Sequence, residues 1–440
     1  MTQVSGTPAK PSRHRSKNSV PPPSRSEKIP TISNDDLIHS SARPDAKGLT
    51  DRNDVITPDL RAPSRAERRK ALQIIAESGL PTPAMFHSPE LDLLGGGKLH
   101  IALENRHPVS HSIKDRAARV VVSGLRSHPR GKPIYVASSG NHAIAYAEAC
   151  LRRGFPMIAV VPATTSELKV AKIEAWGASV VRIGSTWDDS YEYAKQLTRQ
   201  DGGLFLDLSS PYSVAALGTA VHDMLLRRPF VNTVVLPGGG GTIASAARVV
   251  RNFEQIQGGK YKILIACPEN APTIYESVKA GRPVTVQPHT VAEAMNVATV
   301  DAHLLPEIID CADDVVLVPD RWIEQGIPLL SYAIGDPVEA AGTVGPMAVL
   351  GSGGVLRGAS GAVHDLRGQA VATMVTGGNI AWGEVDSIRV DSHVRMTDQI
   401  ERPVDIKTAG DLTIRPKGGR QADPQVTTNT SPHTWTRRQR

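Results

Sequence analysis

One lysine of this sequence lies where a reactive amine is expected. Lys114 follows the segment Ser-His-Ser-Ile at 110–113 and begins an amphipathic helix that we predict over 114–127. A cation at a helix N-terminus opposes the helix dipole, and partial burial lowers the pKa of an ammonium group. An amine with a lowered pKa is what imine formation requires. The alternative is a solvated lysine beside Asp115.

A second segment, residues 137–143, reads Ala-Ser-Ser-Gly-Asn-His-Ala between a predicted strand and a predicted helix. Backbone N–H groups at such a helix start, with the hydroxyls of Ser138 and Ser139 and the amide of Asn141, form a site for a carboxylate or another oxyanion. A helix cap without a ligand is the alternative interpretation.

Glycine dominates two further turns. Gly238, Gly239, Gly240 and Gly241 are consecutive and lie between a strand and a helix, and without Cβ atoms their N–H groups can converge on a phosphate. The turn is neither a Walker A nor a GxGxxG sequence, and a tight connection is its alternative. Residues 375–379, Val-Thr-Gly-Gly-Asn, end the last predicted strand, and the hydroxyl of Thr376 is predicted to meet a ligand there.

Short β-branched runs alternate with Ala-rich amphipathic stretches around these turns, which is typical of β-α units and parallel sheets. We predict an α/β protein with two doubly wound open sheets and helices on both faces. Such sheets bind ligands beyond the carboxyl ends of their strands, where these turns lie. The predicted strands are 133–137, 157–161, 179–183, 233–236, 262–266, 314–318 and 370–375, and the predicted helices include 114–127, 141–153, 166–176, 213–227 and 242–256.

The composition excludes several classes of protein. No run of about 18 apolar residues is present, so neither a membrane span nor a membrane partner is predicted. The net charge of +6 belongs to the ends, since residues 1–70 hold fourteen Lys or Arg against eight Asp or Glu, and residues 401–440 hold eight against four. The residues between them carry −4. Nucleic acid is therefore not an expected partner.

Both ends are polar and lack the apolar spacing of a packed core. We predict a disordered basic Ser/Pro-rich extension over 1–70 and a disordered polar tail over 401–440. The three separated cysteines, without a CxxC pair, favour a reducing compartment. A cytoplasmic protein is expected, and the Arg- and Ser-rich start leaves export or organellar targeting as the alternative.

The motifs Ser-Ile-Lys-Asp-Arg, Ser-Ser-Gly-Asn-His-Ala, Gly-Gly-Gly-Gly and Thr-Gly-Gly-Asn resemble, in order and spacing, those of the fold type II pyridoxal-phosphate enzymes. This family includes threonine and serine dehydratases, serine racemase, cysteine synthase and the tryptophan synthase β-chain. The resemblance covers roughly residues 75–385. It implies pyridoxal 5'-phosphate in a cleft between two lobes, a catalytic core over 71–400 with a small lobe of about 115–215 inserted in the larger one, and a homodimer.

The resemblance also implies a role for each motif residue. Lys114 would hold the cofactor as an imine and then move the Cα proton, while Asn141 would bond the phenolic oxygen of the ring. Thr376 would face the ring nitrogen, where a neutral hydroxyl weakens the electron sink and favours β-elimination or replacement over transamination. The cofactor phosphate is assigned to Gly238, Gly239, Gly240, Gly241 and Thr242, and the substrate carboxylate to Ser138, Ser139, Gly140 and His142.

The implied reaction is α,β-elimination and deamination of a small amino acid such as serine or threonine, through an aminoacrylate. Asn-His after Gly140 is closer to the dehydratases and racemases, whereas Ser-Ile-Lys-Asp-Arg is closer to the synthases, so β-replacement stays open. A catalytic hydroxyl of Ser139 opposite Lys114 would permit racemisation. The remaining alternative is a protein without catalytic activity, which is transported by means of its tails or acts as a scaffold. Cys267-Pro268-Glu269 lacks the aspartate of the metal site of some relatives, and no metal is predicted.

Overall fold

Three β-sheets organise the part of the chain that the computed structural model describes, which comprises residues 60–125, 128–129 and 131–388. They contain six, four and two strands. In chain order the strands are β1 (Met85–Phe86), β2 (Lys98–Leu103), β3 (Ile134–Ala137), β4 (Met157–Val161), β5 (Ser179–Arg182), β6 (Leu204–Phe205), β7 (Thr233–Pro237), β8 (Lys262–Pro268), β9 (Asp314–Val318), β10 (Val355–Arg357), β11 (Val363–Asp365) and β12 (Ala370–Val375).

Helices connect most of these strands and cover the sheets. In chain order they are α1 (Arg65–Glu77), α2 (Pro89–Gly95), α3 (Lys114–Gly124), α4 (Asn141–Arg153), α5 (Glu167–Glu174), α6 (Trp187–Asp201), α7 (Pro211–Arg227), α8 (Ala247–Gln257), α9 (Thr273–Ala280), α10 (Leu305–Cys311), α11 (Asp320–Ile334), α12 (Ala340–Leu350) and α13 (Trp382–Ser387). Short 3₁₀ turns lie at Glu104–Arg106, Ala244–Ala246 and Glu293–Met295.

The six-stranded sheet has the order β1-β2-β12-β7-β8-β9. Only β1 is antiparallel to its neighbour, and the other pairs are parallel. The carboxyl ends of β2, β12 and β7 therefore meet at one edge of the sheet, with Leu103 paired to Val375 at the end of the β2–β12 ladder. The four-glycine turn after β7 and the Thr-Gly-Gly-Asn turn after β12 both begin at this edge.

Both faces of the large sheet are buried, as expected of parallel strands with helices on either side. Along β7, Val234 and Leu236 pack into one hydrophobic cluster while Val235 packs into the other. Residues Ile263 and Leu264 of β8 divide in the same way. The period of two residues along each strand thus distributes continuous Val/Ile/Leu runs over both faces.

The four-stranded sheet, in the order β5-β4-β3-β6, is wholly parallel. Tyr135 and Phe205 pack with Ala194 of α6 on one face, and Val136 packs into the main core on the other. The carboxyl end of β3 leads directly into the Ser-Ser-Gly-Asn turn and α4. The third sheet is the antiparallel hairpin of β10 and β11.

The predicted fold class is confirmed. All seven predicted strands are present with ends within two residues of the expected positions. The helix predicted over 242–256 begins later, as a 3₁₀ turn followed by α8, because the glycine turn extends into its first residues. The helix predicted over 114–127 ends at Gly124, and residues 126 and 127 lie outside the described part.

One predicted boundary is wrong. Helix α1 begins at Arg65, inside the extension predicted to be disordered over 1–70, because Ser64 and Glu67 form a capping box that stabilises its start. Residues 1–59 and the predicted tail over 401–440 lie outside the described residues. The division of the core into a small lobe of about 115–215 and a larger lobe stays a prediction.

The helices and the cysteines of the described part bear on membrane-spanning segments and disulfides. No helix within the described residues is both long and apolar enough to cross a membrane. Cys150, Cys267 and Cys311 are buried free thiols, and burial raises the pKa of each of them above its usual range.

Candidate active site

Backbone pairing brings the lysine segment to the turn after β12. Ser112 and Gly377 form an isolated antiparallel bridge, and the N–H of Ile113 donates to the C=O of Thr376 at 2.9 Å. Lys114 is the next residue and the first of α3. Two motifs that are more than 250 residues apart in sequence therefore become neighbours.

The loop before Lys114 is held by a carboxylate. Asp115 accepts hydrogen bonds from the N–H groups of Val109 and Ser110, both at 3.0 Å, and from Ser110 Oγ at 2.5 Å. Within this loop, His111 has a φ of 50°, in the left-handed region that side chains other than glycine rarely adopt. Hydrogen bonds to Asp115 therefore hold the loop in a conformation that the backbone would not favour by itself.

Helix α3 is anchored by a buried ion network. Arg116 Nε donates to Glu104 at 2.7 Å, and Nη1 donates to Asp223 at 2.8 Å and to Thr219 at 2.9 Å. Burial acts to raise the pKa of Glu104, but Arg116 and His107 outweigh it and hold this pKa at about 2. A charged network of this kind fixes the start of α3 relative to β2 and α7 because breaking it would leave an unpaired buried charge.

Lys114 lies in surroundings that favour a neutral amine. Burial lowers the pKa of its ammonium group to about 8, although the nearby carboxyl of Glu339 acts in the opposite direction. The pKa of His142 is lowered to about 3 by burial and by the charge of Lys114, so this imidazole is neutral. His142 Nδ1 is buried without a hydrogen-bond partner in the described residues.

A carboxyl group that sequence reasoning did not assign lies against Asn141. Asn141 Nδ2 donates to Glu339 Oε1 at 2.9 Å and to Oε2 at 3.1 Å, and Asn379 Nδ2 donates to Asn141 Oδ1 at 2.8 Å. Burial raises the pKa of Glu339 above its usual range. The sequence carried no clear signal for it, because an acidic residue directly before a helix is most often a solvated helix-end residue.

Glycine at position 377 is required by this carboxyl. A Cβ on Gly377 would lie 2.2 Å from Glu339 Oε1, so any other residue would displace Glu339 from Asn141. The second Gly of the Thr-Gly-Gly-Asn turn, Gly378, is equally confined, because its Cβ would lie 2.1 Å from the C=O of Pro337. Both glycines of this turn thus belong to the packing of the site.

The Ser-Ser-Gly-Asn turn presents unused donors. The N–H of Gly140 donates to Ser138 Oγ at 3.2 Å, whereas the N–H groups of Ser139 and Asn141 bond no acceptor among the described residues. The turn precedes α4, whose N-terminus carries the positive end of the helix dipole. This arrangement suits a carboxylate.

The glycine turn after β7 is covered on the side where Cβ atoms would project. A Cβ on Gly239 would lie 3.3 Å from Met295 Cα, and one on Gly241 would lie 3.3 Å from Val300 Cγ2. Gly241 also has a φ of 113°, which side chains rarely adopt. No N–H of Gly239, Gly240 or Gly241 bonds an acceptor in the described part of the chain. The turn therefore offers a row of free donors suited to a phosphate.

Two threonines with predicted roles in the site flank the glycines of these turns. Thr376 is buried, and its hydroxyl lies 3.3 Å from the C=O of Ala341, long for an O–H···O bond, so it can turn to another partner. Thr242 follows the four glycines, and its C=O accepts a hydrogen bond from Ser245 Oγ at 3.1 Å.

The structure thus brings together several sequence-predicted residues at one edge. Lys114 lies beside Thr376 through backbone pairing, and it influences the pKa of His142 electrostatically. Asn141 reaches the same place through Glu339 and Asn379. The glycine turn ends β7, which is adjacent to β12 in the sheet. The assigned roles of these residues stay predictions.

Comparisons with known proteins identify the family of this chain. A family model described as "Pyridoxal-phosphate dependent enzyme" matches residues 75–365. The L-threonine ammonia-lyase of Thermotoga maritima is 28% identical over 308 residues, which cover 69% of this chain and 73% of that protein. The L-threonine ammonia-lyase of Geobacter sulfurreducens is 32% identical over 271 residues, or 60% of this chain and 63% of that protein. Serine racemase of Bos taurus is 30% identical over 246 residues, which cover 54% of this chain and 72% of that protein.

Solved structures show the same fold. A threonine deaminase from T.th. aligns with a TM-score of 0.64 and 26% identity, covering 72% of this chain and 99% of that one. Maize serine racemase aligns with a TM-score of 0.65 and 24% identity, covering 74% of this chain and 96% of that one.

Proposed function

The chain belongs to the pyridoxal-phosphate-dependent enzyme family, and from this premise we propose that it is a lyase that deaminates a small β-hydroxy amino acid such as L-threonine or L-serine. One observation carries the proposal. Lys114, an amine with a pKa lowered to about 8, lies at the same edge as the amide of Asn141, the hydroxyl of Thr376 and two turns with free N–H donors.

The residues present fit the cofactor of the family. The glycine turn offers free N–H groups toward a phosphate, and its Cβ side is filled by the segment that contains Met295 and Val300. Lys114 supplies the amine, Asn141 a side-chain donor and Thr376 a hydroxyl. These are the groups that an anionic phosphate, an aldehyde, a phenolic oxygen and a ring nitrogen need.

Each residue then has a defined task. The hydroxyls of Ser138 and Ser139 and the free N–H groups of this turn bind the substrate carboxylate. Pyridoxal phosphate, when bound, supplies the electron sink for the pair left on Cα. Lys114 Nζ takes the proton from Cα and passes it to the hydroxyl on Cβ, so that the Cβ–O bond breaks and water leaves. Hydrolysis of the dehydrated amino acid consumes a water molecule and gives a 2-oxo acid and ammonia.

The environment of Lys114 suits proton transfer. With a pKa of about 8, roughly one-tenth of the amine is unprotonated at pH 7 and can accept a proton, far more than at the ordinary pKa of a lysine. The neutral imidazole of His142 adds no positive charge beside it. The neutral hydroxyl of Thr376 keeps the electron sink weak, which supports elimination over transamination.

The test uses purified holoenzyme with L-threonine or L-serine. We expect release of 2-oxo acid and ammonia without any added nucleophile, and loss of activity and of the visible absorption band after borohydride reduction. Mass spectrometry should then find the reduced adduct on Lys114. Product formation only in the presence of a thiol or amine would contradict the proposal and establish a β-replacement synthase. Protein without any absorption band or turnover would establish the inactive alternative.

A second candidate reaction is racemisation. The Ser139 side chain donates to no acceptor in the described residues and is half-buried, so its hydroxyl is available to return a proton to Cα. Serine racemases are also among the relatives that match this chain. Chiral chromatography of the serine remaining after partial turnover distinguishes the two reactions, because only a racemase accumulates D-serine.

Assembly and location complete the proposal. We propose a homodimer with small amino acids as its ligands, as the family resemblance implies, and a cytoplasmic location, which the separated cysteines favour. Multi-angle light scattering measures the mass of the assembly. A reporter fused to residues 1–59 tests the alternative of export or organellar targeting, because only a targeting segment would move the reporter out of the cytoplasm.

A further inference from the structure

A directional chain of hydrogen bonds leads from a lysine outside the predicted site to its centre. Lys172 Nζ donates to Asn379 Oδ1 at 2.7 Å, and Asn379 Nδ2 donates to Asn141 Oδ1 at 2.8 Å. Asn141 Nδ2 then donates to Glu339 at 2.9 Å. No sequence pattern assigned a function to Lys172.

The lysine end of this chain determines the orientation of both amides. An ammonium group only donates hydrogen bonds, so Asn379 must turn its oxygen toward Lys172. Its Nδ2 then faces Asn141, which must accept through its own oxygen. Asn141 is left with Nδ2 toward the two carboxyl oxygens of Glu339. Reversal of either amide would set two donors or two acceptors against each other.

The chain also joins elements of different sheets. Lys172 lies on α5 and Asn141 at the start of α4, both connected to the four-stranded sheet. Asn379 follows β12 of the six-stranded sheet, and Glu339 precedes α12. The orientation of Asn141 therefore depends on how the two sets of elements pack.

Lys172 has no carboxylate partner within the described residues, in contrast to Lys169 on the same helix, which pairs with Glu293 at 2.7 Å. Lys172 and Asn379 both line a cavity of about 810 Å³ next to the site. Lys172 is half-buried, and its ammonium group contacts the Asn379 amide. Within the described residues, the ammonium group of Lys172 therefore bonds the Asn379 amide and forms no ion pair.

We propose that Lys172 is a positioning residue that acts through Asn379 to hold the Asn141 amide with its Nδ2 available to the phenolic oxygen of the cofactor. This inference rests on the role proposed above for Asn141. Asn141 Nδ2 contacts both carboxyl oxygens of Glu339, at 2.9 and 3.1 Å, and the phenolic oxygen would take the place of one of these two contacts. Lys172 thereby tunes the electronic state of the bound cofactor without contacting it.

The experiment compares holoenzyme variants by the visible absorption band, its pH titration and the rate of cofactor release. Lys172→Met removes the donor at similar length, Lys172→Arg retains a donor, and Lys169→Gln is the matched control on the same helix. Asn141→Ala is measured beside them. We expect Lys172→Met to shift the band in the same direction as Asn141→Ala and to raise cofactor release about threefold to tenfold, since a hydrogen bond to a charged group is lost.

Lys172→Arg should restore most of the original band, and Lys169→Gln should leave it unchanged. An unchanged band in Lys172→Met overturns the inference. An equal shift in Lys169→Gln also overturns it, because the loss of any contact between the two sets of elements would then suffice. If Asn141→Ala itself leaves the band and the cofactor release unchanged, the proposed role of Asn141 fails instead. Circular dichroism confirms that each variant is folded.

Discussion

Two regions of the site hold their donors in different ways. The glycine turn after β7 presents backbone N–H groups, and its shape is fixed by φ at Gly241 and by the apolar cover of Met295 and Val300. The region around Asn141 presents a side-chain amide, and its orientation is fixed by hydrogen bonds to Glu339 and Asn379. The first depends on volume and backbone conformation, whereas the second depends on the pattern of donors and acceptors.

This difference predicts opposite sensitivities to substitution. An added methyl group harms the glycine turn, since neither the backbone nor the packed cover can yield without cost. An isosteric exchange harms the amide region, because it preserves volume but reverses a donor or an acceptor. Lys114 follows Ile113, whose N–H donates to the C=O of Thr376.

The largest expected effect comes from Lys114 itself. Lys114→Ala removes the amine that moves the Cα proton, and we expect kcat to fall by at least about a thousandfold. The visible band that borohydride abolishes should also be lost. Retention of that band with a reducible adduct at another lysine would show that the two regions serve a different amine.

The glycine turn is tested by Gly241→Ala. The substitution places a side chain at a φ of 113° and 3.3 Å from Val300, and we expect about 1–3 kcal/mol of strain and roughly tenfold weaker cofactor binding. Gly258→Ala is the control, because Gly258 has a φ of 72° and no atom within 4 Å of its Cβ position. Gly258→Ala should lower the free energy of unfolding but leave cofactor affinity intact. Equal losses of affinity in both variants would contradict a specific role for the turn.

The amide region is tested by Asn379→Asp, which keeps the volume and removes the donor to Asn141 Oδ1. The new carboxylate attracts Asn141 Nδ2 away from Glu339, so we expect a band shift and about threefold to tenfold faster cofactor release. The effect should depend on Lys172. The double variant with Lys172→Met should therefore change the band by less than the sum of the single changes. Strict additivity would show that the two residues act independently.

A smaller effect concerns stability and pH in the cofactor-free protein. Lys114 has a folded-state pKa of about 8 against an ordinary value of 10.5, so the unfolded chain binds more protons between these pH values. The stability of the wild type therefore rises with pH across this window relative to Lys114→Met. Lys114→Met should be more stable by about 1 kcal/mol below pH 8, after allowance for solvent screening, and the difference should shrink toward pH 10.5. Urea unfolding at several pH values measures it, and a difference that grows with pH would contradict it.

Much of the fold was predictable from local patterns. The strands β4, β9 and β12 have the predicted bounds because β-branched runs flanked by turns specify them locally. Strand β2 was missed, since Lys98 and His100 interrupt its apolar residues although His100 is buried in the fold. The two-residue strands β1 and β6 carry too little periodicity to be recognised.

The site was predictable where the reactive or donor groups lie within one short sequence motif. Lys114, the Ser-Ser-Gly-Asn turn and the four glycines could be selected because their residue types and turn positions carry the signal. Glu339 and Lys172 could not, because neither stands in a pattern that indicates a ligand. Their importance arises from contacts with Asn141 and Asn379 across 198 and 207 residues of chain.

The sequence by itself determined the β-α order, the turns that carry donors and the reactive lysine, because these properties depend on a few neighbouring residues. Tertiary structure alone decided which side chains meet at the edge of the large sheet. It lowered the pKa of Lys114 by burial, brought Glu339 to Asn141 and gave the amides their direction from Lys172. Desolvation and hydrogen-bond direction depend on distances in space, and only packing fixes those distances.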